Sequence, residues 1–231
     1  VKRDEIYKKI IAALSQSSLD YRAISEKTHY ARSGRLTEYL EDLVKAGFIK
    51  KDQAWSLKSG RTLDLYQYRL SDNYLRFYLK YIAPKKAHIE QNRISNISMS
   101  SFPGFESIMG LQFENLVVNN RHEIYRVLGI RPEDVLYDNP YSQSNTKAQS
   151  GVQIDFLIQT KHNTLYIIEI KFSKNKIPKS VITEMKTKIS KITLPKHMVC
   201  LPVLIHINGV TEDVKAEGYF VDIVAFGQFL K

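Results

Sequence analysis

Asp155, Glu169 and Lys171 are the residues whose types and spacing most plainly suggest chemistry. Residues 152–160 alternate, with Val152, Ile154, Phe156 and Ile158 expected on one face and Asp155, Leu157 and Gln159 on the other. Residues 165–172 read as a second strand, apolar on both faces apart from Glu169 and Lys171. Lys161-His162-Asn163 is the natural loop between the two strands. If that loop has three residues, Thr160 pairs with Thr164 and Asp155 falls opposite Glu169, on a shared face. A two-residue loop puts the two acids on opposite faces, because one step of slip inverts every side chain. The reading therefore demands an odd loop or a bulge. Glu169 and Lys171, two apart on a strand, share a face in either case.

Two carboxylates left together on an apolar sheet are costly. A divalent cation, Mg²⁺ or Mn²⁺, removes that cost by taking carboxylate oxygens, a backbone carbonyl and waters as ligands. The expected metal ligands are Asp155, Glu169 and the carbonyl of Ile170, which lies between Glu169 and Lys171. Such a cation acts as a Lewis acid on a phosphodiester and lowers the pKa of bound water. Lys171 is expected to orient that water and offset charge on the phosphate. The plain alternative is a salt bridge of Lys171 with Asp155 or Glu169 on an exposed hairpin.

The elements that must position these residues follow from periodicity. Residues 105–128 read as one long helix with Ile108, Leu111, Phe113, Leu116, Val117, Ile124 and Val127 as apolar faces. Glu114 sits within it, as a solvated acid or a carboxylate near the metal. Residues 178–192 place Val181, Ile182, Met185, Ile189 and Ile192 inward, with Lys186, Lys188 and Lys191 outward; a solvated face is the reading for them, with an approach of Lys186 or Lys188 to a phosphate as the alternative. Strands are expected over 197–207 and 219–224, the second followed by a short terminal helix. Strands joined by a crossover helix make an α/β sandwich with a mixed sheet flanked by helices.

The first seventy residues have a different pattern. Ile6, Ile10, Ile11 and Leu14 mark one helix. Asp20 caps a second, and a third runs from about Ala31 or Ser33 to Ala46, stopped by Gly47. Short strands are expected over 48–51, 54–57 and 64–70, with Lys58-Ser59-Gly60-Arg61 as a turn. Helices followed by a hairpin make a winged helix-turn-helix, in which the start of the third helix enters the major groove. Candidate DNA contacts are Arg32, Ser33 and Arg35 on that helix, and Lys58 and Arg61 at the wing tip. An aromatic helix over 73–82 (Tyr74, Phe77, Tyr78, Tyr81) is read as packing, and residues 95–104 as a linker. The expected division is 1–70 winged helix, 71–104 helical linker region and 105–231 catalytic-type domain.

Charge agrees with a polyanionic partner. The 231 residues carry a net charge of +10. Residues 1–95 hold 19 Lys and Arg against 11 Asp and Glu, so most of the excess lies there. The single cysteine, Cys200, excludes an internal disulfide and a cysteine-based zinc cluster. It is read as a buried thiol in a reducing, cytoplasmic compartment. No apolar run approaches the ~18–20 residues of a membrane span. The six histidines lack paired zinc spacing, and no serine sits in a G-x-S-x-G elbow.

Several stretches resemble a known arrangement. Tyr68-Arg69-Leu70-Ser71-Asp72 through Phe77-Tyr78 resembles the junction after the winged helix in archaeal-type AAA+ ATPases. Gly110-Leu111-Gln112-Phe113-Glu114 is similar to that family's G-x-x-F-E helix. Gln153-Ile154-Asp155-Phe156-Leu157-Ile158 and Ile168-Glu169-Ile170-Lys171-Phe172 look like motifs two and three of the PD-(D/E)XK superfamily, with Ile154 where its name-giving proline stands. The resemblance covers most of the chain from about residue 20 onward. It implies a restriction-endonuclease-like domain, with Glu114 as the helix acid, Asp155 as the central acid and Glu169 with Lys171 as the ExK pair. It also implies an AAA+ ATPase module as partner, absent from this chain, which has no G-x-x-x-x-G-K-[ST] loop. Two functions are implied: a metal-dependent deoxyribonuclease, or a catalytically inactive module that binds DNA or protein and regulates the ATPase.

Overall fold

A computed structural model of the chain describes residues 3–93, 98, 101–143, 145 and 150–230. Half of the expected linker (residues 95–97, 99 and 100) lies outside the described residues. The chain forms two compact units, Val1–Gln53 with Asp64–Ile108, and Ala54–Leu63 with Met109–Lys231. The aromatic block after residue 70 thus groups with the first unit, and the hairpin tip 54–63 with the second. Among the described residues, no helix is long and apolar enough to cross a membrane.

The first unit begins with α1 (Arg3–Leu14), β1 (Leu19–Asp20), α2 (Tyr21–Thr28) and α3 (Gly34–Lys45). Strands β2 (Ile49–Ser56) and β3 (Arg61–Leu70) follow, in a three-stranded sheet of order β1-β3-β2. Where two short strands were expected over 48–57, β2 is continuous. Asp52 interrupts the apolar pattern but is buried against Arg69, with Nε to Oδ2 at 2.7 Å. The helix limits follow local chemistry. Asp20 accepts from the Ala23 N–H at 2.7 Å, capping α2. Past α3, Gly47 has φ +80°, and the Phe48 N–H returns to the Leu43 carbonyl, a left-handed helix stop. Ile6, Ile10, Leu14, Ile24, Leu36, Leu40 and Ile49 form the core. Helix α4 (Asn73–Phe77) is capped by Asp72 and continues as a π-turn to Ile82, with α5 (Lys86–Glu90) beyond it. The aromatic residues pack as expected: Tyr81 stacks on Phe102, ring centres 4.9 Å apart, and its hydroxyl donates to the Pro103 carbonyl.

The second unit is a mixed five-stranded sheet flanked by helices. The expected single helix over 105–128 is two, α6 (Phe105–Asn119) and α7 (Arg121–Leu128), broken at Asn120, whose φ and ψ of −107° and 41° are not helical. Strands β4 (Val135–Gln143), β5 (Val152–Thr160), β6 (Thr164–Lys171), β7 (Val199–His206) and β8 (Asp222–Ala225) lie in that order across the sheet. β4, β5 and β6 are antiparallel neighbours, whereas β6, β7 and β8 run parallel. Helix α8 (Ser180–Lys191) connects β6 to β7, and α9 (Glu212–Ala216) connects β7 to β8. One sheet face packs Leu157, Leu165, Ile167 and Leu204 under Val181, Ile182 and Met185 of α8. The other packs Phe156, Ile158, Ile168, Ile170 and Val203 under Phe113, Val117 and Ile124 of α6 and α7.

Two features of this sheet escape the sequence pattern. Strand β4 is not apparent from periodicity, because Asp138, Asn139 and Pro140 interrupt its alternation. Strand β5 carries a bulge: Asn139 pairs with Leu157 and Tyr141 with Ile154, so Asp155 and Phe156 together face Pro140. Proline has no N–H to offer the ladder, so an irregularity is suited to this point. The expected alternation is therefore corrected. Val152 and Ile154 lie with Leu157 on the α8 face, and only Phe156 and Ile158 lie on the other.

Candidate functional site

The hairpin register is the one that a three-residue loop demands. Phe156 pairs with Ile168, Leu157 with Ile167 and Gln159 with Leu165. Asn163 takes φ +56°, the left-handed conformation that closes such a loop. Continuing the register one step places Asp155 opposite Glu169, and the Ile170 N–H donates to Asp155 Oδ2 at 2.8 Å. The bulge matters here, because it turns a carboxylate out of an otherwise apolar strand while its flanking residues stay packed.

Glu169 is almost fully buried, with its side chain 3% exposed. Its two oxygens face two ammoniums. Lys171 Nζ lies 3.0 Å from Oε1, and Lys188 Nζ lies 2.5 Å from Oε2. Lys188 also stands 3.7 Å from Asp155 Oδ1, so it bridges the two acids. Lys171 is shared in turn with Glu184 Oε2 at 3.0 Å. The cluster thus holds three carboxylates and two lysines, contributed by β5, β6 and α8. Burial, and then the neighbouring charge of Glu169, push the Asp155 carboxyl up to about 6. Burial alone would lower the Lys171 ammonium, but Glu169 and Glu184 outweigh it and hold it above its ordinary value. Lys171 is therefore protonated at neutral pH in the metal-free protein, a charge and a donor.

Asp155, Glu169 and Lys171 are thus brought together as expected. Glu114 is half-buried on α6, whose neighbours Phe113 and Val117 pack against the sheet face opposite α8. Ile170 contributes its amide to Asp155. Among the described residues, no three His, Cys, Asp or Glu side chains converge as a ready-made metal cage. Two carboxylates within reach of one ammonium still suit a hard divalent cation, since Mg²⁺ is commonly held by one or two carboxylates and keeps several waters. The residues present therefore fit such an ion on donor chemistry.

Lys188 and Glu184 are the members that the sequence reading missed. Lys188 was expected on a solvated face. The signal was present: Val181, Met185, Lys188 and Ile192 recur at helical spacing along the inward stripe, and Glu184 is one turn before Lys188. His206 pairs with Lys171 across the parallel ladder. Its Nδ1 accepts the Gly209 N–H, and burial, with the charge of Lys215, lowers its basicity.

In the first unit, Arg32 and Arg35 are exposed at the start of α3. Ser33 caps that helix: its Oγ accepts from the Leu36 N–H at 3.4 Å, and its own amide donates to the Tyr21 hydroxyl. Lys58 and Arg61 are exposed in residues 54–63. Cys200 is half-buried, and burial pushes its thiol up.

No protein-family model matches the chain, and no curated protein matches it. Two solved structures match the chain distantly, at low identity and low structural overlap. One is the crystal structure of a protein of unknown function, AF1548, with TM-score 0.31 and 17% identity over 47% of this chain. The other is protein VC1899 from Vibrio cholerae, with TM-score 0.41 and 12% identity over 98% of this chain. The matches span 56% and 47% of those two chains.

Proposed function

We propose that the second unit is a restriction-endonuclease-like domain whose Asp155, Glu169 and Lys171 hydrolyse phosphodiester bonds in DNA with a bound Mg²⁺ or Mn²⁺. The observation that carries this reading is the opposition of two acids on neighbouring strands, with a protonated lysine two residues further on. Asp155 and Glu169 would hold the cation, which would supply Lewis acidity toward the phosphate and a more acidic bound water. Asp155 is oriented by the Ile170 amide, so its carboxylate points where the bulge sends it. Lys171, a third exposed, presents its ammonium toward a phosphate oxygen and offsets charge developing there. Buried apolar residues on both sides of the sheet keep the acids rigid. The first unit is a winged helix in this reading. Arg32 and Arg35 read DNA from the start of α3, Lys58 and Arg61 contact phosphates, and Ser33 shapes the helix start. An AAA+ ATPase module is the expected partner.

Cleavage of supercoiled plasmid in Mg²⁺ or Mn²⁺ tests the enzymatic part. Activity is expected to fall by at least ~10²-fold in Asp155→Ala and in Lys171→Ala. Cleavage that persists in both variants assigns it to a contaminant and ends the reading.

A second reading rests on the pairing of both Glu169 oxygens with lysines. A site satisfied in this way serves equally in a DNA-binding module that does not cut. Salt-dependent DNA binding would then survive Asp155→Ala, while Arg35→Ala or Arg61→Ala would weaken it and reduce the salt slope by about one each.

A further inference from the structure

We infer that Lys188 is the resident counter-cation of the acid pair: it occupies the place between Asp155 and Glu169 that a divalent ion takes, and must withdraw for the ion to enter. The inference rests on the metal-binding reading above and adds to it what sets the affinity. Lys188 Nζ is 2.5 Å from Glu169 Oε2 and 3.7 Å from Asp155 Oδ1. It is the ammonium that approaches both acids, whereas Lys171 is directed to the other Glu169 oxygen and to Glu184. A buried carboxylate without a counter-charge is strongly unfavourable, so the metal-free protein needs such a group. Lys188 is suited to leave. It is anchored on α8, not on the sheet, its side chain is a quarter exposed, and its four-carbon stem can swing the ammonium to solvent without moving the helix. Ion entry is thus an exchange of one cation for another. The exchange costs affinity.

Calorimetric Mn²⁺ titration of the full chain tests this without reference to cleavage. Lys188→Met keeps the stem and removes the charge, and is expected to bind Mn²⁺ about tenfold or more tightly than the native protein. Lys188→Arg, which keeps the charge, is expected to stay near the native affinity. Trp55 fluorescence reports that the variants are folded. A second measurement uses the native protein alone: acylation of Lys188, read by mass spectrometry, should rise several-fold when Mn²⁺ is added, with exposed Lys186 as the unchanged control. Unaltered affinity in Lys188→Met, while Asp155→Ala abolishes native binding, overturns the exchange and leaves the metal site standing. Unchanged acylation of Lys188 with Mn²⁺ bound also overturns it. No Mn²⁺ binding by either the native protein or Lys188→Met removes the metal-binding reading and the exchange together.

Discussion

Two buried ionic groups in this molecule have opposite characters. In the first unit, Asp52 and Arg69 meet within the sheet at 2.7 Å, each side chain less than a tenth exposed. Each of these two charges faces an opposite one. In the second unit, Asp155, Glu169 and Glu184 share two lysines, and one acid is driven well above its ordinary range. The first arrangement is electrostatically complete, as a group built into the fold should be. The second is strained toward taking up another positive charge or a proton, which is the usual mark of a working site.

The contrast makes graded predictions. Replacing Arg69 with Met strands the Asp52 carboxylate, and should destabilise the first unit by about 3–5 kcal/mol. Adding Asp52→Leu should recover most of that loss. A small single-mutant effect in denaturant unfolding would show that the pair is dispensable and erase the contrast. Asp155→Asn should do the reverse. Asp155 has a folded pKa of about 6, above its ordinary 3.8. The folded state therefore binds more protons than the unfolded state between those values, and stability falls as pH rises through that window. The cost is fully present above about pH 6 and absent below the unfolded value. Asp155→Asn should thus stabilise the metal-free protein at pH 7 by about 1–2 kcal/mol and flatten its pH dependence between 4 and 6, while abolishing metal binding. Equal slopes in the two proteins would refute an unfavourably ionised Asp155. The smallest effect belongs to a group already consumed by the fold. Ser33→Ala should cost about 0.5–1 kcal/mol in thermal unfolding through loss of the α3 cap. A larger effect on DNA binding than on stability would return Ser33 to the interface.

What could be read in advance follows the same division. Asp20 and Gly47 declared the helix limits because caps and left-handed stops are local chemistry. The pairing of Asp155 with Glu169 followed from counting through the 161–163 loop. Strand β4 was hidden because Pro140 breaks the alternation, and the bulge opposite it depends on a partner strand that periodicity in β5 cannot see. Lys188 was misplaced for a related reason. A lysine on an apolar stripe looks like an error in the pattern until the acids beneath it, from two other elements, are known. Local rules located the elements, and the non-local charge balance decided which residues join the site.

The three-residue connection at 161–163 also constrains how such a chain can change over time. Because both strands bury apolar residues on each face, packing holds their register: a residue gained there would lengthen the loop and leave both acids in place, whereas a one-residue slip of β5 along β6 would send one acid to the opposite surface. Length variation should therefore be tolerated at this connection and refused within the paired segments of β5 and β6.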